Sequence, residues 1–216
     1  MPTTATEVEQ KALQEALIKA GFHAVSLIEK PIAAAYGAGH NIFTNKPVFV
    51  VDFGAGIIEA AIMTMGGIVS SKVMKLGGDH MDKLIYNYLH LKYGLIIGEQ
   101  TAEHLKVSLF NLAGKKDVLP VRGKSLENGL PKSVRVTSDD VQEALAVAMN
   151  QIIDGLIKSG VVFTGEFAKT PGIDRFISNE IKIPVTIAAN PEDATIHGLQ
   201  KLIKEDDRLR RVVIAG

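Results

Sequence analysis

The sequence predicts an α/β fold: a mixed five-stranded sheet flanked by helices, with a small α+β subdomain inserted. Three observations point there. Lys46–Lys75 is the strongest β region, and its three apolar segments are joined by tight glycine turns, as in an antiparallel meander. The chain closes on alternating strand and helix segments, whose crossovers demand parallel pairing. Between these regions lie two helical segments and a hairpin, enough for a smaller appended unit.

The elements follow in order. Thr4 and Glu7 read as a capping box opening a helix. Val8, Ala12, Ala16 and Ala20 recur on it at helical spacing, and Gly21 stops it. Ala24–Ile28 is a short β-rich run. Pro31–Tyr36 has Pro at a first helical position and then three alanines, so a small-faced, tightly packed helix is expected. Pro47–Val51 is a near-continuous apolar run ending in Asp52, the signature of a buried central strand. Gly54 and Gly56 break it, Ile57–Met65 resumes, Gly66-Gly67 turns the chain, and Ile68–Met74 returns.

Gly77-Gly78 ends that unit. Met81, Ile85, Tyr88 and Leu89 mark a helix over Asp79–Lys92. Glu99–Phe110 makes another, with Ala102, Leu105, Val107 and Leu109 on its apolar side. Asp117–Arg122 and Ser133–Thr137 form a hairpin around Glu127-Asn128-Gly129. Thr137 and Asp140 cap a long helix reaching Ser159. Strands are expected at Val161–Phe163 and Pro184–Ile187, with helices at Gly172–Asn179 and Pro191–Lys204, the last with Pro at its first position. The tail Glu205–Gly216 is charged, then apolar, and should dock back as a terminal helix or strand.

Composition narrows the function classes. Of 216 residues, 46% are hydrophobic and 22% charged, which is ordinary globular usage. A chain of 23.2 kDa folded compactly exposes roughly 9,700 Å². Lys plus Arg number 24 and Asp plus Glu 24, so nothing electrostatic favours a nucleic-acid partner. The absence of Cys excludes disulfides and thiolate chemistry and suits a cytoplasmic setting. The start, MPTTATEVEQ, is polar and acidic rather than a signal peptide, and the apolar runs fall short of a membrane span.

The best local signal for chemistry is Val48–Gly56. A buried strand delivers one carboxylate, Asp52, and then a Gly-rich turn whose backbone N–H groups can approach an anion. Such a carboxylate can hold a hydrated magnesium ion. A plain strand–turn–strand in which Asp52 caps the turn fits the same pattern. There is no GK[ST] for a P-loop, and a strand rather than a helix follows, which excludes a dinucleotide fingerprint. Glu103 and Lys106 share a helix face, as a ligand-binding pair or as a surface ion pair. Asp79, His80 and Asp82 stand at a helix start and read as caps. No His stands in a metal spacing, and no GxSxG elbow supports a hydrolase.

The order of motifs carries a resemblance. Ile28-Glu29-Lys30-Pro31-Ile32-Ala33-Ala34-Ala35 looks like the EEPxAAA helix of the MreB family, bacterial actins that help set cell shape. VVDFGAGIIE (Val50–Glu59) resembles their second phosphate loop, VVDIGGGTTE. GGDHMDKLI (Gly77–Ile85) resembles AGDEMDEAI, IGEQTAEHLK (Ile97–Lys106) resembles IGERTAERVK, and NGLPKSV (Asn128–Val134) resembles TGLPRKL. The match runs from Met1 to about Ile203. It implies the RNase H-like fold of actin, sugar-kinase and heat-shock-chaperone ATPases, which clamp ATP and magnesium between two domains. Only the second half is represented: subdomain IIA over 1–77 and 138–216, and IIB over 78–137. The DxGTxN loop of the first half is absent from these residues, so the chain is expected to be half-length or a segment of a longer protein.

The resemblance assigns roles residue by residue. Glu9 takes the place of the carboxylate that positions the attacking water. Asp52 is the metal-side carboxylate, reaching magnesium through water. Gly54, Ala55 and Gly56 form the phosphate turn, Glu103 and Lys106 hold ribose and adenine, and Gly165 and Glu166 open the adenosine loop. The sequence departs from the pattern in three places. Ile57 and Ile58 replace two Thr, Glu166-Phe167 replace two Gly of TGGG, and the connection to Val161 is short. These departures argue against ATP turnover by this chain alone and for weak nucleotide binding.

The resemblance therefore implies a cytoplasmic filament subunit, or its C-terminal half, that supplies one jaw of an ATP/ADP–magnesium cleft. Its partners would be copies of itself or other actin-like subunits, linked through them to membrane-associated cell-shape machinery. The alternatives are a degenerate, non-hydrolysing partner that modulates true filaments, and a sugar-kinase-like phosphotransferase. Lacking a first-half partner, the chain should self-associate or show an apolar patch near Glu9, Pro31 and Gly56.

Overall fold

A computed structural model describes residues 1–156, 161–182 and 184–214. Its frame is a five-stranded sheet in the order β3-β2-β1-β7-β8, with a separate three-stranded sheet, β4-β5-β6. The chain enters through α1 (Glu7–Lys19) and α2 (Lys30–Gly37). It then runs through β1 (Val48–Phe53), β2 (Ile58–Thr64) and β3 (Gly67–Met74), the expected antiparallel meander. β1 is the sheet's centre and is buried from Phe49 onward, which is why it reads as an unbroken apolar run.

The smaller unit follows as α3 (Gly78–Tyr93), β4 (Leu95–Ile96), α4 (Glu99–Leu109), β5 (Val118–Ser125) and β6 (Pro131–Thr137). α5 (Ser138–Leu156) returns the chain to the large sheet, opened by the expected exchange between Thr137 and Asp140. Its expected end at Ser159 lies outside the described residues. β7 (Val161–Thr164) then pairs parallel to β1, and β8 (Val185–Ile187) parallel to β7. A one-turn 3-10 helix, Glu166–Lys169, and α6 (Ile173–Ile181) lie between these two strands. α7 (Ala194–Ile203) and α8 (Asp206–Val212) follow. The crossover argument thus gave the right strand directions.

One core cluster packs α3, α4, α5 and α6 against one face of the large sheet, through Phe53, Met81, Leu105, Leu145 and Phe163. A second packs α2, α7 and α8 against the other, through Ile32, Val50, Met63 and Leu202. α2 and α7 meet at backbone contact. A Cβ on Gly198 would lie 1.8 Å from the Ala33 carbonyl oxygen, and one on Gly37 1.6 Å from that of Ala194. The expected small face of α2 is what permits this approach.

Three expectations are corrected, and one pairing was not foreseen. The capping box that forms is Thr6 with Glu9, two residues after Thr4 and Glu7, because residues 2–5 are held in a turn by Ala5 N–H on Pro2 and by Thr3 on Glu59. Ala24–Ile28 is no strand. Leu27 and Ile28 are buried and meet the C-terminal segment in a single bridge, Ile28 with Val213, beside which the Ile214 amide donates to the Leu27 carbonyl at 2.8 Å. Pro191 precedes α7, which starts at Ala194. The β4 pairing, Leu95 with Ser125 and Ile96 with Lys124, went unread because two residues carry no period.

α1 buries none of its residues. Its Val8 is 77% exposed, and Phe22 just beyond it 59%. The total surface is 12,097 Å², well above the value expected for a compact chain of this mass.

Candidate functional site

β1 ends at Phe53 and turns over Gly54–Ile57 into β2. The turn is pinned from inside by Gly54 N–H on the Ile57 carbonyl at 3.0 Å. It is pinned from outside by the start of α3, whose Gly78 and Asp79 amides donate to the Gly54 and Ala55 carbonyls at 3.2 and 2.9 Å. The amides of Ala55 and Gly56 take no part in these bonds, and both residues are exposed at the tip. This is a rigid turn that offers backbone donors to an anion.

Beside it opens a cleft of about 360 Å³, built from four segments. The turn gives Gly54 and Ala55, the start of α3 gives Gly78 and Asp79, α4 gives Glu103 and Lys106, and the segment after β7 gives Glu166. Phe53, Val107, Phe110, Phe167 and Pro171 supply its apolar wall. The Phe167 ring stacks on Phe110 at 5.6 Å and 15° and leans on Phe53 at 5.5 Å, so its bulk belongs to the wall. Gly165 sits behind, at φ 86° with an added Cβ only 2.3 Å from the Phe53 carbonyl oxygen. No L side chain fits there without shifting the strand.

The polar end is partly committed. The Lys106 ammonium lies 2.9 Å from the Asp82 carboxylate and donates to the Gly78 carbonyl at 3.1 Å. It thereby ties α4 to the start of α3. Burial pushes the Asp82 carboxyl up, against the opposing pull of Lys106. Glu103 is exposed at the rim, and so is Glu166.

Asp52 lies beneath the turn, 2% exposed. Oδ2 faces the Lys30 ammonium at 2.5 Å, and Oδ1 accepts from the Thr164 hydroxyl at 3.0 Å. Thr164 stands opposite Asp52 on β7, and Glu59 opposite it on β2. Glu59 is also buried, and Oε1 accepts from the Thr3 amide and hydroxyl at 2.5 and 2.6 Å. The magnesium ion that the resemblance implies at Asp52 does not fit this arrangement. A cation already covers the carboxylate, and among the described residues no group of three His, Asp or Glu is placed to hold a metal.

Of the residues singled out from sequence, Gly54, Ala55, Glu103, Lys106 and Glu166 line one cleft. Asp52, Gly56 and Gly165 do not line it, though each adjoins in sequence a residue that does, Phe53, Ala55 and Glu166. Glu9 does not line it: its carboxylate, exposed on α1, accepts from the Thr6 amide and hydroxyl at 2.8 and 2.9 Å. Sequence reasoning missed Lys30 and Thr164 as partners of Asp52. The signal for Lys30 was present as a charge reversal, Glu29-Lys30-Pro31 where the resembling motif has two Glu.

A family profile described as MreB/Mbl protein matches residues 1–211. Among relatives, the cell shape-determining protein Mbl of Bacillus subtilis is 36% identical over 225 residues, covering 96% of this chain and 68% of the relative. MreB of Escherichia coli K12 is 33% identical over 224 residues, covering 96% and 65%. Among solved structures, MreB5 of Spiroplasma citri bound to ADP superposes with a TM-score of 0.90 at 26% identity, over 97% of this chain and 68% of that one. The MamK double helical filament shares the fold, with a TM-score of 0.77 at 17% identity over 94% of this chain and 67% of that one. The chain thus spans about two thirds of the length of these proteins.

Proposed function

Because the chain belongs to the MreB/Mbl family, we propose that it is a bacterial actin-like cytoskeletal subunit acting in cell shape, contributing subdomains IIA (1–77 and 138–216) and IIB (78–137). The family match sets the sugar-kinase alternative aside. The observation that carries this reading is the cleft, where four segments separated in sequence bring a glycine turn, the carboxylates of Asp79, Glu103 and Glu166, and an apolar wall together. That combination suits a nucleotide: amides for phosphate, Glu103 or Glu166 for ribose hydroxyls, and the wall for the base. The nucleotide-bound state of the Spiroplasma relative supports the same use here.

Hydrolysis is proposed to be impaired. Phosphoryl transfer depends on positioning and charge stabilisation from both sides of the phosphate. Ile57 and Ile58 put apolar groups where the resembling loop has hydroxyls, and Lys30 holds the carboxylate assigned to the metal side. These two observations favour a second reading, a non-hydrolysing partner that joins and modulates active filaments in the cytoplasm. No described helix is long and apolar enough to cross a membrane.

Pelleting with ATP, followed by electron microscopy, tests the assignment. A filament subunit sediments and forms filaments alone. A modulating partner does so only with an active subunit of the same family. A chain that remains in the supernatant in both experiments contradicts both readings.

A further inference from the structure

Lys30 is the first residue of α2, and its side chain is a third exposed, at 33%, while that of the Asp52 it faces is 3% exposed. The ammonium also adjoins the turn, 3.4 Å from where a Cβ on Gly54 would lie. An ammonium has three donors. The ammonium is held to Asp52 as an ion pair, and the exposed third of the side chain leaves donors for a group seated on the turn. A buried carboxylate stripped of its partner is strongly penalised, and a second carboxylate, Glu59, stands directly across the ladder. Displacing Lys30 with a hydrated divalent ion would therefore leave a free lysine beside the incoming cation.

We propose that Lys30 replaces the divalent cation as the counter-charge at the phosphate end, so that this cleft binds a nucleoside di- or triphosphate without magnesium. The proposal rests on the nucleotide reading above. The phosphate would sit against the Ala55 and Gly56 amides, with the ammonium between it and Asp52. This is a charge-assisted contact of the kind a phosphate-binding lysine makes as a point charge.

The test follows backbone amide shifts of the full chain during titration with ADP and with inorganic pyrophosphate, in excess EDTA and in excess magnesium chloride. The expected result is that the Ala55 and Gly56 amides shift in both, with midpoints agreeing within about twofold. Lys30→Gln should weaken the EDTA midpoint by about tenfold or more, and Lys30→Arg should retain it. If Lys30→Gln unfolds, the double variant Lys30→Gln with Asp52→Asn removes the stranded carboxylate and takes its place.

Wild-type binding that tightens about tenfold with magnesium, or unchanged binding by the Gln variant, overturns this inference and leaves the nucleotide reading standing. Pyrophosphate shifts without ADP shifts at Glu103 and Glu166 support Lys30 and remove the nucleoside. No shift with either ligand overturns both.

Discussion

At the residue scale, the Asp52–Lys30 pair organises the site. Lys30→Met should lower stability by about 2 kcal/mol in urea denaturation, less than a fully buried pair because Lys30 is partly solvated. Adding Asp52→Asn should recover most of the loss. A full loss that persists in the double variant would mean Lys30 acts through packing instead. A second cluster sets an acid limit. Burial would raise the Asp140 carboxyl, but the Lys92 ammonium, the Thr137 amide and hydroxyl, and Tyr93 outweigh it and hold it at about 2. Its folded pKa lies below the ordinary aspartate value of 3.8, so its stabilisation is present above that pH and is lost as pH falls through about 2. Lys92 is 44% exposed, so solvent screening keeps this contribution small. The difference in melting temperature between wild type and Asp140→Asn should therefore shrink from about pH 4 to about pH 2, and a constant difference would exclude this linkage.

Legibility at this scale followed sequence distance. Asp52 and its glycine turn announced themselves as one contiguous motif. The contacts that decide what Asp52 can do come from Lys30 on α2 and Thr164 on β7, and they exist only once those elements pack. Glu9 stood in a motif that local capping also explains, and the cap is the contact the structure contains.

At the element scale, the most restrictive contact is α2 on α7. Gly198→Ala places a methyl within the Ala33 carbonyl and should cost at least about 1–3 kcal/mol, read as a lowered urea midpoint at unchanged slope. A neutral result would mean that α7 can move away freely. The run of three alanines advertised this packing, just as apolar runs and glycine turns advertised the meander and the β5–β6 hairpin. What stayed hidden needed a distant partner: Ile28 pairs with Val213, and β4 exists only because β5 lies beside it. A β-rich run without a neighbour cannot form a ladder, whatever its propensity.

At the scale of the whole molecule, the chain exposes more than a compact fold of its mass should. α1 contributes, with no buried residue and Val8, Leu13 and Ile18 open to solvent. The expected apolar line Val8, Ala12, Ala16 and Ala20 is solvent-facing, while Pro31, expected in the same patch, is buried in α2. Sedimentation velocity at rising concentration should show self-association, reduced by Val8→Glu and Ile18→Glu. Monomers at every concentration would remove α1 as a contact surface.

The central claim is that segments distant in the chain form one nucleotide cleft, and ADP titration mapped over all backbone amides tests it most directly. The account predicts concerted shifts at Gly54–Gly56, at Glu103–Lys106 and at Gly165–Lys169, sharing one midpoint, with the far hairpin of β5 and β6 undisturbed. Shifts confined to one segment, or centred on α1 around Glu9, would contradict it.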